Sequence, residues 1–463
     1  MDLSINIRNY KSIVDTNLLL KKGVNILIGP NGSGKTCLLN ALKFLSDLAI
    51  DGVGQAVAKN GGPKRVYHRG KERISFTIRY DYDKRIYKKR QAEHYFEWQI
   101  EIEQKGKEPV ATIIRENLSI FAIKRNEDKV FEIEINRENL KNITHKLFLS
   151  KEDIGKDFFY FWHNIGKNKA ELITIFINDI NSSIEEFKRN PDNSILEFIS
   201  FYDSKIEELL LSFQRLSEYN IIPQIARGEN DSLPFSEMKP NGEGLSNVIF
   251  SLENRNYEKI TNSRTFGSYS KRDYNRILLL FPHRRSLGRK NIKLNSALEN
   301  INEELSKAVR PIIAVTTGIN QSNGKRFVVF KTSNNMKFYP DEVSDGTIKW
   351  LCILVSIYIP FSDLYIIEEP ENYLHPWMQQ RLITLMRKQA KQYSTLFLIT
   401  THSPTLLNTL LPEEVIVIRS SENGTIATNI THKDDIYEIL QDNDFGLGDL
   451  WVSGAIGGIP GDE

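Results

Sequence analysis

Residues 29–36 read Gly-Pro-Asn-Gly-Ser-Gly-Lys-Thr and fit the phosphate-loop pattern G-x-x-x-x-G-K-[ST] at every defined position. An alternating apolar segment, Val24, Ile26 and Ile28, precedes this stretch and predicts a half-buried strand. Apolar residues at helical spacing follow it, from Leu38 to Leu48. A loop of this kind binds phosphate when it joins a strand to a helix, so the sequence predicts a nucleotide site in an α/β fold.

The residue types in the loop have distinct predicted roles. Glycines allow successive backbone N–H groups to converge on phosphate oxygens, and Lys35 supplies a cation to the β- and γ-phosphates. The Thr36 hydroxyl is the predicted ligand for Mg²⁺. The residues expected to bind the nucleotide are Gly29, Pro30, Asn31, Gly32, Ser33, Gly34, Lys35 and Thr36.

Two adjacent acids follow a second apolar strand. Residues 363–367 form this strand, and Glu368-Glu369-Pro370-Glu371-Asn372 comes directly after it. A carboxylate at the end of such a strand can hold Mg²⁺ through water, and a second one can polarise the water that attacks the γ-phosphorus. We assign Glu368 to the metal and Glu369 to the attacking water.

Two further motifs supply candidate phosphate contacts. The apolar run from Leu396 to Ile399 is followed by Thr400-Thr401-His402, and a neutral imidazole at a strand end can hydrogen-bond the γ-phosphate or the attacking water. We therefore predict that His402 reports whether that phosphate is present. Ser344 and Gly346 precede a helical apolar run, where free N–H groups and the helix dipole can bind an anion. A serine that only caps this helix is the alternative.

The distribution of charge is uneven, although 61 basic and 59 acidic residues nearly cancel over the chain. Residues 64–90 carry eleven Lys or Arg against three acids, an excess of +8. This segment could contact a phosphate backbone, so DNA is a candidate partner, and an ordinary solvated surface is the alternative. Beyond Lys433 the chain has eight acidic and no basic residues. The acidic end could dock on a partner or on the protein itself.

Composition excludes several classes of protein. The chain has 463 residues, of which 40% are hydrophobic and 26% charged, which is ordinary globular usage and excludes a disordered or collagen-like chain. Its longest nearly uncharged apolar run, residues 350–361, is too short to cross a membrane. No signal-type apolar stretch begins the sequence, so we expect a cytoplasmic protein. Cys37 and Cys352 form neither a disulfide framework nor a metal-ligand cluster and are expected to be buried thiols.

The pattern of apolar residues predicts three segments. Residues 1–137 carry the phosphate loop and short alternating runs typical of an antiparallel β region. Residues 138–262 carry two stripes at helical spacing, from Ile173 to Phe187 and from Ile195 to Leu216, and we expect a compact, mainly helical insertion. Residues 263–463 carry the remaining motifs and the acidic tail.

The order of these motifs resembles that of an ABC-type ATPase of the branch that includes the SMC, Rad50, RecF and overcoming-lysogenization-defect-like proteins. The resemblance covers roughly residues 1–80 and 275–420 and implies a P-loop NTPase head with a mixed sheet and an antiparallel β subdomain. It also implies that ATP is hydrolysed with Mg²⁺ in a homodimer of heads. Ser344 and Gly346 of one subunit would then act in trans on nucleotide held by Lys35 of the other.

The chain departs from this family in places. Glu368 stands where the family usually has an aspartate, Arg69 is only a candidate for its basic phosphate-facing loop, and the glutamine loop has no clear counterpart. The resemblance would place Asn372, Leu374 and His375 near the interface between the two heads. The long arms of the SMC branch are absent.

With its short helical insertion, the Glu-Glu-Pro-Glu-Asn motif at residues 368–372 and the glycine-rich ending at residues 445–451, the chain is similar to stand-alone ATPases of bacterial antiphage systems such as PARIS and Septu. That similarity implies a sensor and regulatory scaffold, a dimer or a multimer of dimers, which controls a separately encoded nuclease or toxin. The alternative is a RecF-like DNA repair ATPase that binds DNA directly through residues 64–90. The glycine-rich ending could instead simply cap the fold.

Overall fold

The structure is a computed structural model, and it describes most of the chain. The residues it describes are 3–81, 94–104, 111–122, 128–139, 142–149, 178, 181–182, 194–196, 204–233, 238–254, 296–359, 362, 364–393, 395–421, 424–430, 433–442 and 445–459. The apolar residues of the first helical stripe and residues 82–90 of the basic segment lie outside them, so the predictions made there are not tested.

Groups of strands are separated by helices along the chain. The strands are β1 Leu3–Tyr10, β2 Ile13–Leu20, β3 Gly23–Ile28, β4 Arg73–Asp81, β5 His94–Gln104, β6 Ala111–Ala122, β7 Asp128–Asn139, β8 Asn142–Leu149, β9 Ser217–Tyr219, β10 Ile312–Ile319, β11 Arg326–Thr332, β12 Lys337–Phe338, β13 Leu364–Glu368, β14 Leu396–Thr400, β15 Val415–Ser421 and β16 Gly424–Asn429. The helices are α1 Lys35–Lys59, α2 Pro63–Val66, α3 Ser204–Gln214, α4 Pro223–Ala226, α5 Leu245–Glu253, α6 Ala297–Ala308, α7 Asp345–Tyr358, α8 Pro376–Tyr393, α9 Pro404–Leu407, α10 Lys433–Asp442 and α11 Leu447–Val452.

One large mixed sheet organises the molecule. In the described part of the chain its order is β8-β7-β6-β5-β4-β1-β2-β16-β15-β3-β14-β13-β9. The pairs from β15 through β3, β14 and β13 to β9 are parallel, and the pairs from β8 through β2 and β16 to β15 are antiparallel. A second, antiparallel sheet contains β10, β11 and β12. The predicted α/β class, with a mixed sheet and an antiparallel β region, is confirmed.

Strand β3 is more deeply buried than its alternating pattern predicted. Val24, Ile26 and Ile28 are buried as expected, but Asn25 and Leu27 on the other face are buried too. The strand lies between β15 and β14, where helices cover both faces of a parallel sheet. The interpretation as a half-buried strand was therefore wrong, because a two-residue period does not reveal a second covered face.

Two apolar cores lie on the two faces of the sheet. The first packs α1 and α3 against the antiparallel strands and includes Leu42, Phe76 and Leu209. The second packs α7 and α8 against the parallel strands and includes Leu351 and Leu382. Burial of these faces holds the parallel strands in register. This register sets the positions of the side chains that follow the strand ends.

The region beyond residue 138 begins with a strand. Strand β8 extends the antiparallel sheet through residue 149, past the point where the sequence predicted a change to helix. Of the second helical stripe, Ile195, Ile206, Leu209 and Phe213 are buried in the first core, as an amphipathic helix requires. The division into three segments remains a prediction.

A buried carboxylate attaches this stripe to the sheet. Glu116 in β6 is fully buried, accepts a hydrogen bond from the Ile195 amide at 3.0 Å and pairs with Arg137 at 3.3 Å. The side chain of Ser194 and the indole of Trp98 donate to the same carboxylate. These partners compensate for the cost of burying the charge.

Candidate functional site

Three predicted motifs meet at one edge of the sheet. Strands β3, β13 and β14 are parallel, and their register places Glu368 opposite Thr400 and Thr400 opposite Leu27. The phosphate loop follows β3, the paired acids end and follow β13, and His402 follows β14. Because the carboxyl ends of parallel strands share one edge, the fold brings these motifs together.

The lysine of the phosphate loop is folded onto the loop itself. Its ammonium group donates to the carbonyl oxygens of Gly29 at 2.7 Å and Pro30 at 3.0 Å. Burial lowers the pKa of Lys35, and the charge of Glu369 opposes this shift. A cation held here is positioned to exchange loop carbonyls for phosphate oxygens.

The conformation of the loop fits a bound phosphate group. Gly32 and Gly34 have φ of +82° and +102°, a left-handed conformation that a side chain disfavours. A Cβ atom on Gly34 would lie 2.1 Å from the Thr425 hydroxyl oxygen, so this position requires glycine. Among the described residues, the buried hydroxyl of Ser33 has no hydrogen-bond partner. Ser33 is therefore a candidate donor to a phosphate.

The predicted metal ligands have suitable surroundings. Thr36 lies in the first turn of α1 with its side chain exposed. Burial raises the pKa of Glu368, and the charges of Glu218 and Glu369 raise it further. A divalent cation would relieve this repulsion, so the hydroxyl of Thr36 and the carboxylate of Glu368 fit Mg²⁺.

Glu218 is an acid of this site that the sequence analysis missed. It lies in β9, which pairs with β13, the strand that ends at Glu368. The ammonium group of Lys43 donates to the carboxylate of Glu218 at 2.6 Å. Nothing in the sequence indicated that the three-residue β9 would lie at this edge.

Glu369 has a strained backbone that several contacts hold in place. Its φ is +41°, in the left-handed region that a residue with a side chain rarely adopts. Its amide donates to the Thr400 carbonyl at 3.0 Å, and its own carbonyl accepts from the Lys349 ammonium at 2.9 Å. The side-chain amide of Asn372 donates to the carboxylate of Glu369 at 2.9 Å. These contacts fix the direction in which the carboxylate points.

Glu371 holds the segment that carries His402. One of its carboxylate oxygens accepts hydrogen bonds from the Thr401 hydroxyl and the His402 amide, both at 2.8 Å. The other oxygen is buried and, in the described part of the chain, has no partner. No sequence signal indicates the role of Glu371, because its partners are 30 and 31 residues away in sequence.

The surroundings of His402 favour the neutral imidazole. Burial lowers the pKa of His402, and the cation of Lys35 lowers it further, against the opposing charges of Glu369 and Glu371. A neutral ring has one nitrogen that donates and one that accepts. The protonation state thus agrees with the one expected for a residue that contacts a phosphate or a water.

Ser344 caps its own helix. It precedes α7, and its hydroxyl accepts from the Thr347 amide at 3.2 Å. Gly346 packs directly against the chain that follows the paired acids, because a Cβ atom there would lie 2.4 Å from the Tyr373 carbonyl oxygen. The capping alternative is therefore observed, and action in trans on a second nucleotide site remains a proposal.

The other residues named from the resemblance lie in different environments. Asn372 contacts Glu369, whereas the side chain of Leu374 is buried in the second core. That these residues lie near an interface between two heads remains a prediction. Arg69 is exposed in the turn after α2.

The described helices include none with the length and apolar character needed to cross a membrane. Cys352 is buried in α7, Cys37 is half-buried in α1, and both thiols are free.

Comparison with known proteins finds one family that matches most of the chain and one protein that matches a short part of it. The model of the family described as "AAA domain, putative AbiEii toxin, Type IV TA system" matches residues 24–408, a range that contains every predicted site residue. A protein of Sulfurisphaera tokodaii described as "Putative ABC transporter ATP-binding protein" is 44% identical over 50 residues, which are 9% of this chain and 11% of that protein. The chain therefore matches only a small part of that relative.

Solved structures of SMC heads have a similar overall arrangement. An SMC head bound to the C-winged helix domain of ScpA matches with a TM-score of 0.44 and 10% identity, covering 94% of this chain and 98% of that one. The SMC head domain from Thermotoga maritima matches with a TM-score of 0.40 and 10% identity, covering 93% and 100%.

Proposed function

We propose that this protein hydrolyses ATP, because the chain belongs to the family described as "AAA domain, putative AbiEii toxin, Type IV TA system". The observation that supports this most strongly is the meeting of Lys35, Glu369 and His402 at one edge of the parallel strands. A phosphate-binding loop, an acid next to the metal ligand and a neutral imidazole can bind the phosphates, orient the attacking water and contact the γ-phosphate.

Each group has one task in the proposed reaction. The glycine-rich loop and Lys35 bind the phosphates. Thr36 and Glu368 would hold Mg²⁺, which would supply positive charge to the phosphate oxygens. Glu369 accepts a hydrogen bond from the attacking water and orients it. His402 contacts the γ-phosphate, so that its loop moves when the phosphate is lost.

We further propose that two copies complete two sites. Ser344 and the N-terminus of α7 would meet the γ-phosphate of nucleotide bound by the other subunit. In support, Tyr373 and Trp377, large side chains with 59% and 41% exposure, belong to the same part of the chain that contacts Gly346. Exposed aromatic side chains are enriched where proteins associate.

The proposed biological role is regulatory, in bacterial antiphage defence. Closure and opening of the two heads would control a separately encoded nuclease or toxin in the cytoplasm. The family description, "AAA domain, putative AbiEii toxin, Type IV TA system", supports membership of a system that has a toxin component. Purification of the intact chain together with the product of the adjacent gene tests it, since a stable complex that dissociates on ATP hydrolysis is expected. An effector that binds equally in all nucleotide states would contradict it.

Direct DNA binding, as in a RecF-like ATPase, is the second candidate function. Exposed cations on α2 and the following turn favour it, namely Lys64, Arg65, Arg69 and Lys71. Neutralisation of phosphates by these side chains would make duplex binding weaken steeply with salt. If binding is absent, or insensitive to salt and to reversal of these charges, this candidate fails.

Measurement of phosphate release tests the enzymatic proposal itself. Wild-type protein with Mg²⁺ and ATP is expected to release phosphate, whereas Lys35→Ala loses binding and Glu369→Gln binds ATP without hydrolysing it. Hydrolysis by Glu369→Gln at the wild-type rate would show that another group orients the water.

A further inference from the structure

The glycine-rich end of the chain lies against the nucleotide site. We call residues 446–459 the C-terminal segment, and it contains α11 and the turn that follows. Its Gly448 amide donates to the side-chain oxygen of Asn408 at 2.6 Å, and a Cβ atom on Gly448 would lie 2.2 Å from the Pro404 carbonyl oxygen. The segment is therefore docked on α9, which begins two residues after His402.

An aromatic side chain of this segment contacts His402. The rings of His402 and Trp451 have centroids 6.5 Å apart and an interplanar angle of 46°. This separation is within the range of favourable tilted ring pairs. The indole N–H of Trp451 donates to the Gly458 carbonyl at 3.2 Å, which fixes the orientation of the indole.

The same segment also reaches the start of the phosphate loop. Gly458 has φ of +77°, and a Cβ atom there would lie 2.9 Å from a methyl carbon of Val417 and 3.6 Å from the Cα atom of Gly29. A Cβ atom on Gly457 would lie still closer to a neighbour, 1.7 Å from a guanidinium nitrogen of Arg419. Glycines at these positions allow the backbone to pass beside Gly29. One segment thus touches both the loop and the histidine.

We propose that Trp451 is a positioning residue for His402, and that the C-terminal segment forms one wall of the nucleotide site. This inference rests on the proposed ATP hydrolysis. Glu371 holds the His402 backbone from one side, but a hydrogen bond to the amide leaves the imidazole free to rotate. Trp451 restricts this rotation, so that the ring nitrogen stays directed at the γ-phosphate.

The segment has anchors other than Trp451. Leu447, Leu450 and Ile456 are buried in the second core and hold the segment in place, while Trp451 is half-buried at its edge. A change at Trp451 removes the contact with His402 and the hydrogen bond to Gly458, and it leaves these three buried anchors unchanged. The effect of Trp451 on His402 can therefore be tested while the buried anchors stay in place.

The kinetic test compares Trp451→Ala with Trp451→Phe. We expect Trp451→Ala to lower kcat for ATP about tenfold with KM unchanged, and Trp451→Phe to restore most of the rate, because a ring again supports the imidazole. The matched control is Val452→Ala, since the adjacent Val452 side chain is 63% exposed and should not affect either constant. In a His402→Ala background, Trp451→Ala should cause no further loss. Wild-type kcat in Trp451→Ala, or losses that multiply in the double variant, would overturn the inference.

A second measurement does not require hydrolysis. The fluorescence of Trp451 is obtained by subtracting the emission of Trp451→Phe from that of wild type. This fluorescence should change when a non-hydrolysable ATP analogue binds with Mg²⁺. This change should disappear in His402→Ala. Absence of phosphate release by wild type would refute the proposed enzymatic function, whereas analogue binding without a change in Trp451 emission would refute the positioning role alone.

Discussion

The ammonium group of Lys349 donates a hydrogen bond to the main-chain carbonyl of Glu369 over 2.9 Å. Lys349 lies in α7, the helix that Ser344 caps, and Glu369 is the acid assigned to the attacking water. Within one subunit, this bond connects α7, whose N-terminus is proposed to act on the partner's nucleotide, to Glu369, which is proposed to orient the attacking water. Movement of α7 on meeting a partner would therefore be transmitted to the strained backbone of Glu369.

Lys349→Met is expected to reduce turnover while ATP binding is retained. The variant removes the donor that helps to hold Glu369 at positive φ, and the phosphate loop is not changed. We expect kcat to fall about tenfold, on the order of 1.4 kcal/mol of lost transition-state stabilisation. Steady-state hydrolysis and binding of labelled ATP measure the two effects. Lys391→Met, at an exposed lysine near the end of α8, is the control.

The pH dependence of stability should reveal the buried state of Lys349. Burial lowers the pKa of Lys349 to about 8, against an ordinary 10.5. Between these values the unfolded chain binds more protons than the native one, so the contribution of Lys349 to the free energy of unfolding becomes more favourable as pH rises. The difference in stability between wild type and Lys349→Met should therefore increase from pH 8 to pH 10. Denaturant titrations measure it, and a constant difference would contradict the depressed pKa.

Glu371→Ala should impair both stability and turnover. The variant removes the acceptor for the Thr401 hydroxyl and the His402 amide, and leaving such buried donors unpaired costs about 1–3 kcal/mol. We expect a lower free energy of unfolding and a reduced kcat, because the His402 segment loses its support. Glu299→Ala, at an exposed acid of α6, provides the comparison. Turnover at the wild-type level would show that Glu371 has a purely structural role.

Ser344→Asp separates capping from action on the phosphate. Aspartate caps a helix as well as serine does, so the stability of the monomer should be preserved. Its charge would repel a γ-phosphate presented by a second subunit, so hydrolysis should be lost. Mixing this variant with Lys35→Ala should restore part of the activity, because a mixed dimer contains one intact site. Failure of the mixture to regain activity would contradict a shared site.

The sequence predicted the parts of the site whose chemistry is local. The phosphate loop, the acids Glu368 and Glu369 and the residue His402 each follow an apolar strand, and parallel packing of β3, β13 and β14 brings them to one edge. The roles of Glu218 and Trp451 depend on which distant segments become neighbours, and no period or motif encodes that. Lys349 did leave a signal, as the sole charged residue between Gly346 and Pro360, but its partner could not be inferred.

Two copies are proposed to share their nucleotide sites, with Ser344 of one subunit on the phosphate held by Lys35 of the other. A crystal structure of Glu369→Gln with Mg²⁺ and ATP tests it most directly. We expect a dimer in which the Ser344 hydroxyl is within hydrogen-bond distance of the γ-phosphate in the partner's loop, about 3 Å. A complex in which nucleotide is bound and Ser344 remains remote from every phosphate would contradict the account.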